Sequence, residues 1–299
     1  MRVEKMEGLE TITDFVRWGA SRFREAGLHF GHGTDNAVDE SLALVLHGLH
    51  LEYPLAAELY NARLTPTEKE DVDRLFGRRI RDRVPAAYLV GEAWFCGLKF
   101  KVDERVLVPR SPIAELIESG FSPWQNSSDI RQVLDLCTGC GCIAIGCAVH
   151  LPEAQVVATD ISEDALDLTQ HNIRQLGVED RVTAMRSDLF ESLDGRSYDV
   201  IVSNPPYVPR KEFEALPPEY GHEPGLGLVA GEDGLDLVRR ILDEARGHLS
   251  DSGILIVEVG SAARALVEAF PELPFTWPVF ERGGDGVFVL TAEQLDMRG

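Results

Sequence analysis

The spacing of hydrophobic residues along the chain changes near residue 84. Before that point apolar residues recur at every third or fourth position, and in the first such segment they are Ile12, Phe15, Val16, Ala20 and Phe23. This spacing puts apolar side chains on one face of a helix and predicts helices over 11–26, 39–51 and 65–83. Thr65 followed by Pro66 is typical of a helix start and places the beginning of the third helix.

Residues 85–102 mix aromatic and β-branched residues with glycines, which predicts a short β-hairpin. A helix over 112–118 follows the hairpin, and the polar stretch 122–129 predicts a surface loop. The hairpin and its exit, residues 85–108, therefore form a linker between a helical domain (1–84) and a larger domain (109–299).

From residue 132 onward short β-branched runs alternate with helical patterns, which indicates a mainly parallel sheet with helices on both faces. The predicted strands are 132–136, 155–160, 181–187, 199–203 and 253–259, and the predicted helices are 142–150, 162–176, 235–249 and 261–270. Two late runs, 275–280 and 287–290, are separated by a glycine-rich turn and predict a terminal antiparallel hairpin. The expected fold is α/β, preceded by a small all-helical N-terminal domain.

The composition is that of a soluble globular protein, since 44% of the 299 residues are hydrophobic and 26% are charged. No window approaches the roughly 20 apolar residues that span a membrane. Residues 1–7 lack the apolar core of a signal peptide. We therefore expect a cytoplasmic protein that does not associate with membranes.

The net charge is −21, from 29 basic and 50 acidic residues. Such a surface repels phosphate backbones, so we expect no stable nucleic-acid binding, whereas a basic protein is a compatible partner. One helix departs from this balance, with a local cluster of Arg74, Arg78, Arg79, Arg81 and Arg83. A solvated helix face with i, i+4 pairs is the favoured interpretation of this cluster, and a partner-docking patch is the alternative.

Five cysteines are present, Cys96, Cys137, Cys140, Cys142 and Cys147. An odd number with four packed into eleven residues does not indicate a disulfide framework. The spacing of Cys137 and Cys140 is found in metal sites, but structural zinc usually takes two separated pairs. Their apolar surroundings favour small buried cysteines instead, and we expect no metal.

Residues 132–144 have the order strand, glycine turn, helix. Gly139 and Gly141 allow the backbone to pass close to a ligand. Asp160 ends the next strand, 19 residues after Gly141, where a carboxylate can bind a pair of ribose hydroxyls. Asp188 and Leu189 follow the third strand and place a carboxylate and an apolar side chain near an adenine.

Taken alone, this arrangement also fits the dinucleotide-binding fingerprint of a nicotinamide enzyme. Two details argue against that alternative. Asp135, two residues before the turn, is expected near the charged end of the cofactor, where it suits an ammonium and a sulfonium but opposes a pyrophosphate. The fourth strand also ends in a motif for which hydride transfer has no use.

That motif is Asn204-Pro205-Pro206-Tyr207, here called the NPPY motif. It follows the buried run 198–203, and in open α/β sheets the carboxyl ends of the strands form the ligand crevice. The two prolines make a stiff turn, which leaves the Asn204 side chain and the Pro205 carbonyl to accept hydrogen bonds from a planar NH2 group. The Tyr207 ring can lie against a flat substrate group. A plain surface turn is the alternative interpretation.

Together, the glycine loop, Asp160, Asp188 and the NPPY motif resemble S-adenosylmethionine-dependent methyltransferases that modify planar amino groups. Over nearly its entire length the chain resembles the bacterial protein-glutamine N(5)-methyltransferases. The resemblance implies a class I, Rossmann-like methyltransferase domain, with the helical N-terminal domain recognising a protein substrate.

Within this family, three stretches favour the branch that methylates a glutamine of large-subunit ribosomal protein uL3, namely 108–115, 135–139 and 220–224. The release-factor branch, whose target is a GGQ glutamine, is the alternative. It typically has Pro-Arg-Pro-(Asp/Glu)-Thr-Glu at the first stretch and glycine at position 137. An adenine-N6 nucleic-acid methyltransferase and an inactive binding scaffold are more distant alternatives. Cys140 departs from the family, which usually has Ser or Thr there.

The resemblance implies S-adenosylmethionine as the cofactor, S-adenosylhomocysteine as the product and free, basic uL3 as the partner of a monomer or weak dimer. The implied catalytic residues are Asn204, Pro205, Pro206 and Tyr207. The implied cofactor-binding residues are Asp135, Cys137, Thr138, Gly139, Cys140, Gly141, Asp160, Ile161, Asp188, Leu189 and Asn204. No histidine is nominated as a base, and His222 is expected to pack within a loop.

Overall fold

The computed structural model describes residues 8–193 and 195–297. Residues 1–7, on which the expectation of no signal peptide rests, lie outside the described residues. Chain contacts divide the protein into two compact units. The first contains the N-terminal residues through Ala93 together with Pro217–His222, and the second contains Trp94–Leu216 and Glu223–Gly299.

The first unit is helical. Its helices are α1 (Ile12–Glu25), α2 (Ala37–Gly48), α3 (Pro66–Arg81) and the short α4 (Ala86–Val90), with a 3-10 helix at Ala57–Asn61. Capping boxes start α1 at Thr11 and α3 at Thr65. Each threonine hydroxyl accepts a hydrogen bond from the N–H of the third helical residue, whose carboxylate accepts one from the threonine N–H. The helices enclose a core that includes Phe15, Phe23, Leu44 and Phe76.

Two sequence expectations are corrected in this unit. Residues 86–90 form helix α4 rather than the start of a hairpin, because Pro85 opens a run with two alanines and Gly91, at φ +78°, ends it. Arg79 does not belong to a solvated helix face, since its side chain is only 1% exposed. Its guanidinium contacts two buried carboxylates, with Nε 2.6 Å from Glu40 Oε1 and Nη1 3.1 Å from Glu219 Oε1.

Glu219 belongs to Pro217–His222, which packs within the helical unit although it lies far along the chain. In addition to the contact with Arg79, its Oε1 accepts a hydrogen bond from the His29 N–H at 3.1 Å. His222 Nε2 lies 2.8 Å from the carbonyl of Asp82, the residue that caps α3, so the contact of this histidine is with another part of the chain. The segment is therefore held by the buried charge of Glu219, and its Tyr220 ring also packs against His29 and His32.

A hairpin of β1 (Glu92–Phe95) and β2 (Leu98–Lys101) comes next, and helix α5 (Ile113–Glu118) follows it. The main sheet then contains β3 (Gln132–Leu136), β4 (Gln155–Asp160), β5 (Val182–Arg186), β6 (Tyr198–Ser203), β7 (Leu249–Glu258) and β8 (Val287–Thr291). Its helices are α6 (Cys142–His150), α7 (Glu163–Gln175), α8 (Arg210–Phe213), α9 (Asp236–Glu244), α10 (Ala263–Ala269) and α11 (Ala292–Asp296).

The strand order is β5-β4-β3-β6-β7-β8, with every pair parallel except β7–β8. Each sheet face has its own core, because side chains alternate between the faces of a strand. Val133 and Val200 pack with α6 on one face, whereas Leu134 and Ile201 pack with α9 on the other. The α/β, mainly parallel fold predicted from the sequence is confirmed.

The expected partner of the last strand is wrong. Residues 275–280 form no strand, and they make a single bridge between Thr276 and Val289. Strand β8 instead pairs antiparallel with the long strand β7, from Ile254–Thr291 to Glu258–Val287. Within the described residues, no helix is both long and apolar enough to cross a membrane.

Candidate active site

The strand order reverses at β3, whose neighbours are β4 on one side and β6 on the other. Open α/β sheets bind ligands at such a point, outside the carboxyl ends of the strands. A cavity of about 280 Å³ lies there, and every residue that lines it belongs to the second unit. The predicted site residues that line it are Cys137, Thr138, Gly139, Cys140, Asp160, Ile161, Asp188, Leu189, Asn204, Pro205, Pro206 and Tyr207.

The glycine loop connects β3 to α6 through backbone conformations that favour glycine. Gly139 and Gly141 have φ of +58° and +83°. A Cβ on Gly141 would lie 2.8 Å from Thr169 Cγ2, so Gly141 permits close packing against α7 and does not itself line the cavity. A Cβ on Gly139 would meet nothing within 4 Å, so the backbone at Gly139 borders open space.

Asp160 fastens this loop to the end of β4. Its Oδ2 accepts a hydrogen bond from the Gly139 N–H and its Oδ1 accepts one from the Ser162 N–H, both at 2.9 Å. Burial raises the pKa of Asp160, and these backbone hydrogen bonds oppose that rise. The sequence placed Asp160 in the site, but its role in organising the loop appears only in the structure.

Asp135 differs from the sequence expectation. Its side chain is fully buried beneath the glycine loop and does not line the cavity. Its Oδ2 accepts hydrogen bonds from the Thr138 hydroxyl at 2.5 Å and from the Ala144 N–H at 3.1 Å. Burial raises the pKa of this carboxyl to about 7. Asp135 therefore supports the turn and the start of α6, because its strand position directs the side chain beneath the loop.

Asp188 lines the cavity beyond β5 and forms an ion pair that the sequence did not indicate. Arg240, on α9, donates from Nη1 to Asp188 Oδ1 at 2.9 Å across 52 residues of chain. Leu189 beside it is buried, whereas Ile161 on the rim of the cavity is 44% exposed. The cavity thus combines the carboxylates of Asp160, Asp188 and Glu258 with apolar side chains and a close-approaching backbone.

The NPPY motif leaves the end of β6 and enters the same cavity. Pro205 and Pro206 are buried, whereas Asn204 and Tyr207 are half-buried. The Tyr207 hydroxyl donates to Glu258 Oε1 at 2.8 Å, and the Ser111 hydroxyl donates to Glu258 Oε2 at 2.5 Å. Sequence reasoning missed Ser111 and Glu258. A signal for Glu258 existed, because it is an acidic residue at the end of a buried apolar strand.

Two of the stretches that marked the family branch meet at this site. Arg110 forms a two-pronged ion pair with Glu223, with Nη1–Oε1 at 2.6 Å and Nη2–Oε2 at 2.7 Å. Glu223 Oε1 also accepts a hydrogen bond from the Val108 N–H at 3.0 Å. This pair fixes the loop before α5 to the loop that follows the NPPY motif, and both loops line the cavity.

The five cysteines are free thiols, of which Cys96, Cys140 and Cys147 are buried. Burial raises the pKa of Cys96 to about 12, and it also raises the pKa values of Cys137 and Cys147. The neighbouring Cys140 thiol and burial both raise the pKa of Cys142. Over residues 8–193 and 195–297, no three His, Cys, Asp or Glu side chains are arranged to share a metal ion.

Comparison with known proteins agrees with this geometry. Residues 123–216 match the Methyltransferase small domain family. A ribosomal protein uL3 glutamine methyltransferase of Xanthomonas campestris pv. campestris is 53% identical over 295 residues, which cover 99% of this chain and 96% of the relative. Its counterpart in Francisella tularensis subsp. tularensis is 45% identical over 291 residues, covering 97% and 93%.

Among solved structures, the catalytic domain of hMettl16 in complex with MAT2A 3'UTR hairpin 6 has a TM-score of 0.50 and 19% identity. The match covers 75% of this chain and 80% of that chain, and it shows a shared fold. The sequence relatives are far closer and extend through the N-terminal helices. At such identity over nearly the whole of both chains, this chain belongs to the family of ribosomal protein uL3 glutamine methyltransferases.

Proposed function

We propose that this protein transfers a methyl group from S-adenosylmethionine to the side-chain amide nitrogen of a glutamine in ribosomal protein uL3. The family to which the chain belongs supports this proposal. The observation that carries it is the position of the NPPY motif, which lines one cavity with the glycine loop, Asp160 and Asp188.

The residues in this cavity fit the proposed cofactor. The backbone at Gly139 borders open space that a side chain would fill, so a ligand can approach it closely. In the proposal Asp160 accepts hydrogen bonds from ribose hydroxyls, and Asp188 accepts from the adenine amino group. Ile161 and Leu189 supply apolar contacts to the adenine ring. Cys137, Thr138 and Cys140 complete the loop around the cofactor, with Gly141 permitting its fold.

When bound, S-adenosylmethionine supplies an electrophilic methyl group on a sulfonium, whose departure leaves a neutral thioether. The protein must then present an amide nitrogen, which is a poor nucleophile because its lone pair is delocalised. In the proposal the Asn204 side-chain oxygen and the Pro205 carbonyl each accept one hydrogen of the target amide. These acceptors stabilise the positive charge that develops on nitrogen, and they align the nitrogen with the methyl group.

Stiffness makes this arrangement effective. Pro205 and Pro206 have fixed φ and are buried, so the backbone that carries the two acceptors has few alternative conformations. No strong base is required, because the proton leaves to water after the methyl group has been transferred. Tyr207 completes the motif as a ring beside the target amide.

The helical N-terminal domain, residues 1–84, is proposed to recognise the protein substrate, with 85–108 as linker and 109–299 as catalytic domain. The net charge of −21 favours a basic partner such as free uL3 and disfavours stable nucleic-acid binding. We further propose that the enzyme acts in the cytoplasm as a monomer or weak dimer.

The test is transfer of labelled methyl from S-adenosylmethionine to purified uL3, to a release factor and to DNA, each in a separate reaction. We expect label on uL3 alone, with a loss of about a hundredfold in Asn204→Ala because one of two charge-stabilising acceptors is removed. Asn126→Ala, in an exposed loop, is the matched control and should keep full activity. Label on the release factor would retain glutamine chemistry and reject the uL3 assignment, whereas label on DNA alone would reject both.

A further inference from the structure

Glu258 is the last residue of β7 and lies at the carboxyl edge of the sheet, where it lines the active-site cavity. Its side chain follows four apolar residues of a buried strand, Ile254–Val257, and the residue is only 6% exposed. A carboxylate in such surroundings is costly unless its oxygens are hydrogen-bonded. Its partners therefore indicate what it does.

Both carboxylate oxygens of Glu258 have a partner from the catalytic region. Oε1 accepts from the Tyr207 hydroxyl at 2.8 Å, and Oε2 accepts from the Ser111 hydroxyl at 2.5 Å. Ser111 Oγ in turn accepts a hydrogen bond from the Ile113 N–H at 3.2 Å, which ties the carboxylate to the start of α5. Two hydroxyl donors to one buried carboxylate make a connected network rather than an isolated contact.

The rest of Tyr207 is held equally closely. A Cβ on Gly260, whose φ is +43°, would lie 2.5 Å from Tyr207 Cε2, so the ring lies against bare backbone. A Cβ on Gly234 would collide with the Tyr207 carbonyl oxygen. The carbonyl is thus constrained at Gly234, whereas the ring and the hydroxyl are constrained by the end of β7 and the turn after it, at Gly260 and Glu258. The hydroxyl is held by the buried carboxylate of Glu258.

We propose that Glu258 is a positioning residue for methyl transfer, which acts by holding the Tyr207 hydroxyl and thereby fixes the orientation of the NPPY motif. This inference rests on the proposed function, because Tyr207 matters only if the motif holds the target amide. The role is one of geometry: Glu258 acts through Tyr207 and exchanges no proton with the substrate.

The expected effect is on kcat rather than on cofactor binding. A small misplacement of aligned groups costs up to about a hundredfold in rate, because alignment supplies much of the rate enhancement. The cofactor residues Asp160 and Asp188 lie at the ends of other strands, β4 and β5, whereas Glu258 bonds to Tyr207 and Ser111, so cofactor affinity should change little. A loss of kcat at constant affinity separates positioning from a general disturbance of the fold.

The test compares Glu258→Leu, Glu258→Gln, Tyr207→Phe and the double variant Tyr207→Phe/Glu258→Leu, with Glu268→Gln on the surface of α10 as control. We measure kcat with uL3, S-adenosylhomocysteine affinity by calorimetry and thermal unfolding. Glu258→Leu should lose about tenfold to a hundredfold in kcat, with affinity changed by less than about twofold. Glu258→Gln retains an acceptor for Tyr207 and should recover a substantial part of the loss.

The double variant decides whether Glu258 acts through Tyr207. If it does, the double variant should be about as active as Tyr207→Phe alone, because the contact is already broken. Losses that multiply would overturn the inference, as would unchanged kcat in Glu258→Leu. Should Glu258→Leu fail to fold, the comparison of Glu258→Gln with Tyr207→Phe and their double variant carries the same test. If the wild-type protein leaves uL3 unlabelled, the proposed function is rejected. If the wild type is active but the losses of the two single variants multiply, only the inference about Glu258 is rejected.

Discussion

The carboxylate of Asp160 accepts a hydrogen bond from the Gly139 N–H at 2.9 Å, although 21 residues separate them in the chain. This contact joins the end of β4 to the glycine loop after β3. A residue expected only to meet the ribose also sets the shape of the loop on which the rest of the cofactor site depends. The loop uses both carboxylate oxygens of Asp160, which makes the residue sensitive to conservative change.

Asp160→Asn should therefore weaken cofactor binding more than the loss of one ligand contact suggests. An amide has one acceptor oxygen, so it cannot accept from both the Gly139 and the Ser162 N–H groups as the carboxylate does. We expect a decrease of about tenfold or more in S-adenosylhomocysteine affinity, measured by calorimetry, since hydrogen bonds to charged groups contribute about 1.5–3 kcal/mol. Asp167→Asn, exposed on α7, is the control, and an equal decrease in both variants would contradict the prediction.

Replacement of Arg79 should destabilise the helical unit. Glu40 and Glu219 share its guanidinium, and the three side chains are each about 1% exposed. Burial raises the pKa of Glu40; for Glu219 burial acts in the same direction, but backbone hydrogen bonds and Arg79 hold its pKa below the usual range. Arg79→Met should lower the free energy of unfolding by about 3–5 kcal/mol, because it removes the cation paired with buried Glu40 and leaves Glu219 with only the longer contact to Arg83, at 3.4 Å.

Urea unfolding measures this loss, and Arg74→Met is the matched control on the same helix. Arg74 is 69% exposed and pairs with Asp71 at the surface, where an ion pair contributes at most about 1 kcal/mol. Equal unfolding midpoints for the two variants would show that the Arg79 cluster does not stabilise the unit.

Asp135 should make stability depend on pH. Its pKa is raised to about 7 in the folded protein, so the folded state binds a proton more tightly than the unfolded state. This contribution to stability is fully present below pH about 4 and is lost as pH rises through about 7, with a slope of up to about 1.4 kcal/mol per pH unit.

Asp135→Asn removes that proton equilibrium. The free energy of unfolding of wild type relative to Asp135→Asn should therefore fall by a few kcal/mol between pH 5 and pH 8. Urea titrations at both pH values measure the difference, with Asp167→Asn as the control for loss of an acidic residue. A relative stability that rises with pH over this interval would reverse the assigned sign.

Gly260→Ala should displace Tyr207. The new Cβ would lie 2.5 Å from Tyr207 Cε2, and the φ of +43° adds about 1–2 kcal/mol of backbone strain for a residue with a side chain. We expect a lower melting temperature and a loss of methyl transfer of about tenfold or more. Gly247→Ala, where a Cβ meets nothing within 4 Å, is the control, and comparable activity of the two variants would argue against a fixed Tyr207 ring.

Local pattern determined much of this protein. Apolar β-branched runs predicted the strands at 132–136 and 155–160, because a strand buried on both faces is apolar at consecutive positions. The rule that parallel strands end at one edge predicted that Gly139, Asp160 and the NPPY motif would line a single cavity. The spacing of the glycine loop and Asp160 taken alone fits more than one cofactor. The family resemblance added S-adenosylmethionine as the cofactor and an amide nitrogen as its target.

Tertiary structure decided what depends on distant parts of the chain. The segment 275–280 carries strand-like residues, yet β8 pairs with β7, because pairing depends on which edge is available and not on local propensity. The burial of Arg79 required carboxylates from α2 and from residue 219, which no helical pattern within α3 reveals. Likewise Ser111 and Glu258 are 147 residues apart, and only the folded chain brings the Glu258 carboxylate to the hydroxyls of both Ser111 and Tyr207.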